Sequence, residues 1–95
     1  MDVNVLKREK NELRVEIKGE GHTLCNLLQN VLLQDKSVEI AGYDIPHPLV
    51  PASILYVRMK GDSSPQKALE RALERIRVDM QDFADKIESA TVAGK

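Results

Sequence analysis

Apolar and polar residues alternate strictly from Glu12 to Lys18. Leu13, Val15 and Ile17 face one way, and Glu12, Arg14, Glu16 and Lys18 the other. This is the period of a strand with one dry and one wet face. Val3 to Glu9 predicts a strand before it, in which Val3 and Val5 continue the dry face and Leu6 breaks the alternation. Lys10-Asn11 separates the two at hairpin spacing, and asparagine tolerates a left-handed turn. After Gly19-Glu20, which can end a strand and turn the chain, the period changes. Leu24, Leu27, Leu28, Val31 and Leu32 stand at i, i+3, i+4, i+7 and i+8 and predict a helix over Gly21–Leu33, with Thr23 as N-cap. Their arc of roughly 140° is wide for a short helix on one surface, so the helix should touch its own sheet and something else. Leu33 falls outside that arc, near His22, Asn26 and Gln29.

Val38 to Ile45 predicts a third strand, in which Gly42 marks either a bulge or a close approach. Pro46-His47-Pro48, prolonged by Pro51, predicts an extended connector, because proline fixes φ and removes a donor. Ile54 to Lys60 predicts a fourth strand: Leu55, Val57 and Met59 form one face, Ile54, Tyr56 and Arg58 the other, and Gly61-Asp62 ends it. A second helix then opens, either with Ser63 as N-cap and Gln66 completing a capping box or with Ser64 as N-cap and Pro65 at the first helical position. It should run over about residues 64–89, with Thr91–Lys95 frayed. Its apolar seam is Leu69, Leu73, Ile76, Met80, Phe83 and Ile87, flanked by Ala72 and Ala84. Arg75–Asp79 and Asp82–Lys86 are paired at i,i+4, and Val78 points away.

The length of this helix matters. About 25 residues give roughly 37 Å, whereas four strands make a sheet about 19 Å wide with strands of roughly 23 Å. The seam from Leu69 to Ile87 therefore outgrows the surface of its own domain and calls for a partner. Fewer than three heptads is short for a coiled coil.

Composition narrows the function. The 95 residues predict one domain, 1–95. With 14 basic and 15 acidic residues the net charge is −1, which offers no field for a nucleic acid backbone. Tyr43, Tyr56 and Phe83 are too few aromatics for a base-stacking platform. Cys25 is the only cysteine, so no intrachain disulfide can form, and a cytoplasmic location follows as the expectation. No apolar run reaches the roughly 20 residues of a membrane span, and no membrane partner is expected.

His22, Cys25 and His47 alone could suggest metal or nucleophile chemistry. A structural zinc site needs four ligands, and a nucleophilic cysteine needs a base and an orienting group. The plainer reading makes Cys25 a small apolar residue at the helix–sheet contact and His22 a hydrogen-bonding residue at the helix entry. No catalytic residue, metal or cofactor is expected.

Gly19-Glu20-Gly21-His22-Thr23-Leu24-Cys25-Asn26-Leu27-Leu28, then Ala41-Gly42-Tyr43-Asp44-Ile45-Pro46-His47-Pro48-Leu49, then Pro65 opening an amphipathic helix, resembles the small alpha-like subunit family of RNA polymerases. That family includes archaeal subunit L and is similar to the dimerisation part of the bacterial alpha subunit. The motif residues are His22, Thr23, Leu24, Asn26, Pro46, His47 and Pro48. The match spans Val3 to about Ile87, and departs from the family where Gly21 replaces a usual acidic residue and Cys25 a frequent glycine.

The resemblance implies an α+β, two-layer fold: a four-stranded antiparallel sheet with two helices on one face, in the order β-β-α-β-β-α. It implies a non-catalytic assembly subunit of DNA-dependent RNA polymerase that forms a heterodimer with the larger alpha-like subunit, D. On this platform the large subunits and the small subunits N and P assemble. The interface expected from the helices comprises Leu24, Leu27, Leu28, Val31 and Leu32, with Leu69, Leu73, Ile76, Met80, Phe83 and Ile87. A small self-associating enzyme or cofactor-binding protein of the same fold is the alternative, since fold alone does not decide function.

Overall fold

The computed structural model describes residues 2–93, in the order β1 (Asp2–Arg8), β2 (Glu12–Lys18), α1 (His22–Leu33), β3 (Val38–Asp44), β4 (Ala52–Met59) and α2 (Pro65–Ala93). The strands form one antiparallel sheet in the order β1-β2-β4-β3. Both helices lie on one face of it, α1 chiefly over β3 and α2 over β2 and β4. The expected α+β fold is thus the observed one.

The register explains the core. Leu13 is opposite Val57, Val15 opposite Leu55 and Ile17 opposite Ser53, so one face of the central strands is continuous and buried. Cys25, Leu28 and Leu32 of α1 close over it, with Ala68 and Ala72 of α2. Two small residues at i and i+4 let α2 sit close to the sheet. Ala68 did not stand out in the sequence, because the leucine seam beside it carries the stronger signal.

The opposite face carries a charged row across all four strands: Lys7 on β1 pairs with Glu12 on β2 at 2.9 Å, Arg58 on β4 lies 3.8 Å from Glu12, and Arg58 pairs with Glu39 on β3. Lys7 holds the Glu12 carboxyl below its ordinary range. Arg14 stacks over Tyr56, 5.3 Å from the ring centre.

Several local expectations are corrected. Val3 and Val5 do lie opposite Ile17 and Val15, on the dry face, yet they are 57% and 58% exposed because no helix covers β1. The register shifts between Val5 and Lys7, where Leu6 broke the alternation. In β3 the shift falls between Val38 and Ile40, and Gly42 pairs regularly with Tyr56. The Pro46–Pro51 segment is a turn, closed by the Val50 N–H donating to the His47 carbonyl at 3.0 Å. Helix α1 begins at His22 with Gly21 as N-cap, and Thr23 caps nothing. Of the two openings for α2, Ser64 is the cap: its hydroxyl accepts from the Lys67 N–H at 3.3 Å, and Pro65 is the first helical residue. The helix continues through Thr91 to Ala93, past the expected end, and Gly94 and Lys95 lie outside the described residues.

Glycine is required at two turns. Gly19 leaves β2 with φ 91° and Gly61 leaves β4 with φ 60°, where a side chain would be strained.

One ionic contact ties the end of α1 to α2. The Asp35 carboxylate accepts from the Ser37 hydroxyl at 2.6 Å, from the Ser37 N–H at 3.0 Å and from the Arg71 guanidinium at 2.8 Å. These bonds, Ser37 first and Arg71 next, lower its pKa from 3.8 to about 2. A carboxylate whose pKa is depressed by folding contributes stability above its unfolded pKa and loses it as pH falls through the folded one. Asp35→Asn should therefore cost about 1 kcal/mol near neutral pH, a figure reduced for the solvent around this pair. That difference from wild type should vanish between pH 3.8 and about 2. Urea titrations at several pH values check both statements.

Candidate subunit interface

The expected interface residues divide in the structure. Leu28 and Leu32, placed at the interface by the helical pattern, are 2% and 0% exposed and belong to the chain's own core. They cannot meet a partner while α1 stays on its sheet. Leu24, Val31, Leu69 and Ile76 are half-buried against the same core, and Leu27 is also half-buried. Leu73, Met80, Phe83 and Ile87 are exposed.

This division follows from where α2 leaves the sheet. Pro65, Ala68 and Ala72 are buried, and Ile76 is the last half-buried residue. From Arg77 to Val92 every residue is exposed. The 16 residues of that stretch make a tail of about 24 Å, in a molecule 53 Å along its longest axis. Along the tail Met80, Phe83 and Ile87 recur at i, i+3 and i+7, so their side chains share one stripe. Arg75–Asp79 at 3.9 Å and Lys86–Asp82 at 2.9 Å form as the sequence suggested, and Arg77–Glu74 joins them. The ion pairs decorate the helix, but the apolar stripe is left without cover by this chain.

Helix α1 presents a second, smaller apolar edge. Leu24, Leu27 and Val31 recur at i, i+3 and i+7, beside the buried Cys25–Leu28–Leu32 row. The edge of α1 and the seam of α2 lie on the helix side of the sheet, where α1 and α2 touch each other. What this arrangement can do is bind apolar surface; it positions no reacting groups.

The residues that could have carried chemistry are held apart. His22 Nδ1 lies 3.0 Å from the Tyr43 hydroxyl, and the two rings meet edge to face with centroids 5.6 Å apart. This contact fixes the entry of α1 where no side-chain cap does. Cys25 is fully buried, with its sulfur 3.0 Å from the Ser53 hydroxyl. It therefore sits in the helix–sheet contact, and Ser53 gains a partner that a buried hydroxyl needs. His47 is exposed in the proline turn. Tyr43 and Ser53 were missed as partners because each comes from a distant strand. The motif residues His22, Thr23, Leu24 and Asn26 open α1, and Pro46, His47 and Pro48 follow β3 at the same end of the sheet. Leu49, next to them, is 97% exposed. Among the described residues no group of three or more His, Cys, Asp and Glu side chains is placed to hold a metal ion, and no helix is long and apolar enough to cross a membrane.

Residues 12–86 match the family model described as the RNA polymerase Rpb3/Rpb11 dimerisation domain. The chain is 39% identical over 83 residues to the DNA-directed RNA polymerase subunit Rpo11 of Methanocella arvoryzae, covering 87% of this chain and 89% of that protein. It is 39% identical over 87 residues to Rpo11 of Methanothermobacter thermautotrophicus, covering 92% and 99%. Among solved structures it is similar to DNA-directed RNA polymerase subunit L of Thermoplasma acidophilum, with a TM-score of 0.82, 31% identity and coverage of 93% of this chain and 86% of that one.

A buried thiol reacts only when the chain opens. Cys25 should therefore resist a thiol reagent in the native protein and react at the free-cysteine rate in denaturant. A protection factor of at least about a hundredfold is expected, read by absorbance on release of the reagent's leaving group.

Proposed function

The chain belongs to the RNA polymerase Rpb3/Rpb11 dimerisation domain family, and from that premise we propose that it is the subunit L of an archaeal RNA polymerase. It is an assembly subunit of DNA-directed RNA polymerase and acts in transcription by pairing with other subunits. Its direct partner in this reading is the larger alpha-like subunit, D, in a 1:1 heterodimer. The heterodimer is the platform on which the catalytic large subunits and the small subunits N and P assemble in the cytoplasm. The chain supplies no catalytic residue and no metal or cofactor site, and it makes no direct nucleic acid contact. Residues 1–95 act as one dimerisation domain.

The observation that carries this reading is the α2 tail. Met80, Phe83 and Ile87 stand in one exposed stripe beyond the reach of the chain's own sheet. Each such side chain contributes about 1.5–3 kcal/mol when a partner buries it. Leu73 extends the stripe toward the sheet, and Leu24, Leu27, Val31, Leu69 and Ile76 complete the apolar surface from their half-buried positions.

Phe83 is 62% exposed, so replacing it leaves the core untouched. Phe83→Glu should abolish the 1:1 complex with the larger alpha-like subunit and keep the far-UV helical signal, since an unpaired charge in an apolar interface outweighs the burial lost. Arg75→Ala with Asp79→Ala should leave assembly unchanged, because surface ion pairs contribute roughly 0–1 kcal/mol. Co-expression followed by light scattering on the purified complex checks both. A Phe83→Glu chain that still forms a complex of normal affinity would remove Phe83 from the interface. The lone chain, with net charge −1, should bind DNA and RNA no more tightly than the micromolar range of non-specific contacts at physiological salt, measured by fluorescence anisotropy.

A further inference from the structure

The proline turn between β3 and β4 carries more apolar surface than a connection needs. Leu49 is 97% exposed and Val50 51%, and Pro46, Pro48 and Pro51 beside them are exposed as well. A single exposed apolar residue is ordinary, but a contiguous group of them marks a contact surface. The turn is also held in shape. Its prolines fix φ, the Val50 N–H donates to the His47 carbonyl, and the Gly19 N–H at the end of β2 donates to the Pro51 carbonyl. A partner that grips such a tip has little ordering entropy to supply.

The turn walls a recess of about 550 Å³. His22 and Tyr43, in edge-to-face contact, line it together with Pro48 and Val50. Asp44 lines the same recess and also a smaller one on the outer face of the sheet, beside Ile54 and Tyr56. The Asp44 carboxylate has no ion-pair partner among the described residues, and neither has Glu20, two residues before His22. No lysine or arginine lines the larger recess, and Arg14, which lines the smaller one, is stacked on Tyr56. This end of the sheet thus offers apolar walls and an unanswered negative charge.

Its place in the fold separates it from the helix seam. The turn joins the end of β3 to the start of β4, whereas α2 begins beyond the other end of β4 and is tied to the far end of α1 through Arg71 and Asp35. The α1–α2 junction and the turn therefore stand at opposite ends of the strands. One partner can lie on the helices while another holds the turn.

We propose that the proline-turn end is a second docking site, which takes an extended segment of another protein. A large apolar side chain of that segment sits between the His22–Tyr43 pair and the turn, and a lysine or arginine beside it pairs with Asp44. The free carboxylates disfavour a nucleic acid backbone in the same place. The site deepens the reading given under Proposed function and rests on it: the segment belongs to a polymerase subunit other than the larger alpha-like one, so the chain holds two neighbours at once.

Leu49→Asp and Asp44→Lys test this at exposed positions, away from the core. Each should leave the 1:1 complex with the larger alpha-like subunit unchanged to within about twofold. Each should also weaken uptake of that complex by the remaining purified subunits about tenfold, read by size-exclusion chromatography with light scattering. Asp44→Asn should flatten the salt dependence of the uptake step, which a merely structural role would not do. Cys25 is buried, so Leu49→Cys supplies one accessible thiol for a benzophenone label. Irradiation of the assembled enzyme should crosslink it to a lysine- or arginine-containing peptide of another subunit, identified by mass. A crosslink to the larger alpha-like subunit alone, or to none, overturns the proposal. A normal 1:1 complex whose uptake ignores both variants overturns it too and leaves the heterodimer reading standing. A wild-type chain that forms no 1:1 complex sinks that reading and this one with it.

Discussion

The mismatch between α2 and the sheet beneath it governs this molecule. Close packing of a helix on a sheet needs small residues at the contact and a sheet long enough to receive them. Ala68 and Ala72 meet the first need, and the four strands meet the second only as far as Ile76. Past that point the helix keeps its period and its apolar stripe but has no surface to put it on. A chain selected only to fold alone would end its helix near Arg77 or make the remainder polar all round. Met80, Phe83 and Ile87 at core spacing beyond the sheet are what the docking surface proposed above calls for.

The rest of the structure holds that overhang at a fixed angle. The Asp35–Arg71 contact joins the end of α1 to the first half of α2, and Ser64 with Pro65 fixes where α2 starts. The charged row across the far face adds little free energy, since it is largely exposed. It does disfavour a slipped register, because moving one strand would set like charges side by side. Rigidity at the base of α2 spares a partner the entropy of ordering it.

Much of this was legible in the sequence, and the failures have physical causes. The four strands and two helices were readable because Leu13–Val15–Ile17 and Leu55–Val57–Met59 alternate cleanly and the leucines of α1 keep a helical period. The overrun of α2 was readable from length alone. The split of the α1 leucines was not: Leu28 and Leu32 differ from Leu27 and Val31 only in which side of the helix meets the sheet, and a wide apolar arc does not mark that line. Thr23 failed as a cap because a contact from a distant strand, His22 with Tyr43, sets the start of α1. The exposure of Val3 and Val5 was invisible because alternation reports which face a residue takes, and says nothing of whether a helix reaches it. The family motif was legible as a pattern, with His22 and Pro46–Pro48 far apart in sequence and at one end of the sheet in space.

The strand order β1-β2-β4-β3 also fixes a sequence of events during synthesis. The β1–β2 hairpin is local and can pair as soon as it emerges. The central pairing of β2 with β4 joins Glu12 to Arg58 and must wait until nearly two-thirds of the chain has been made. By then β3 is available to zip onto the other edge of β4, so the sheet closes almost at once. Helix α2 follows all four strands in the chain, so it emerges onto a sheet whose pairing can already be complete. The exposed stripe of Met80, Phe83 and Ile87 is therefore made after the strands that hold its helix, and it is presented by a domain whose sheet is already in place.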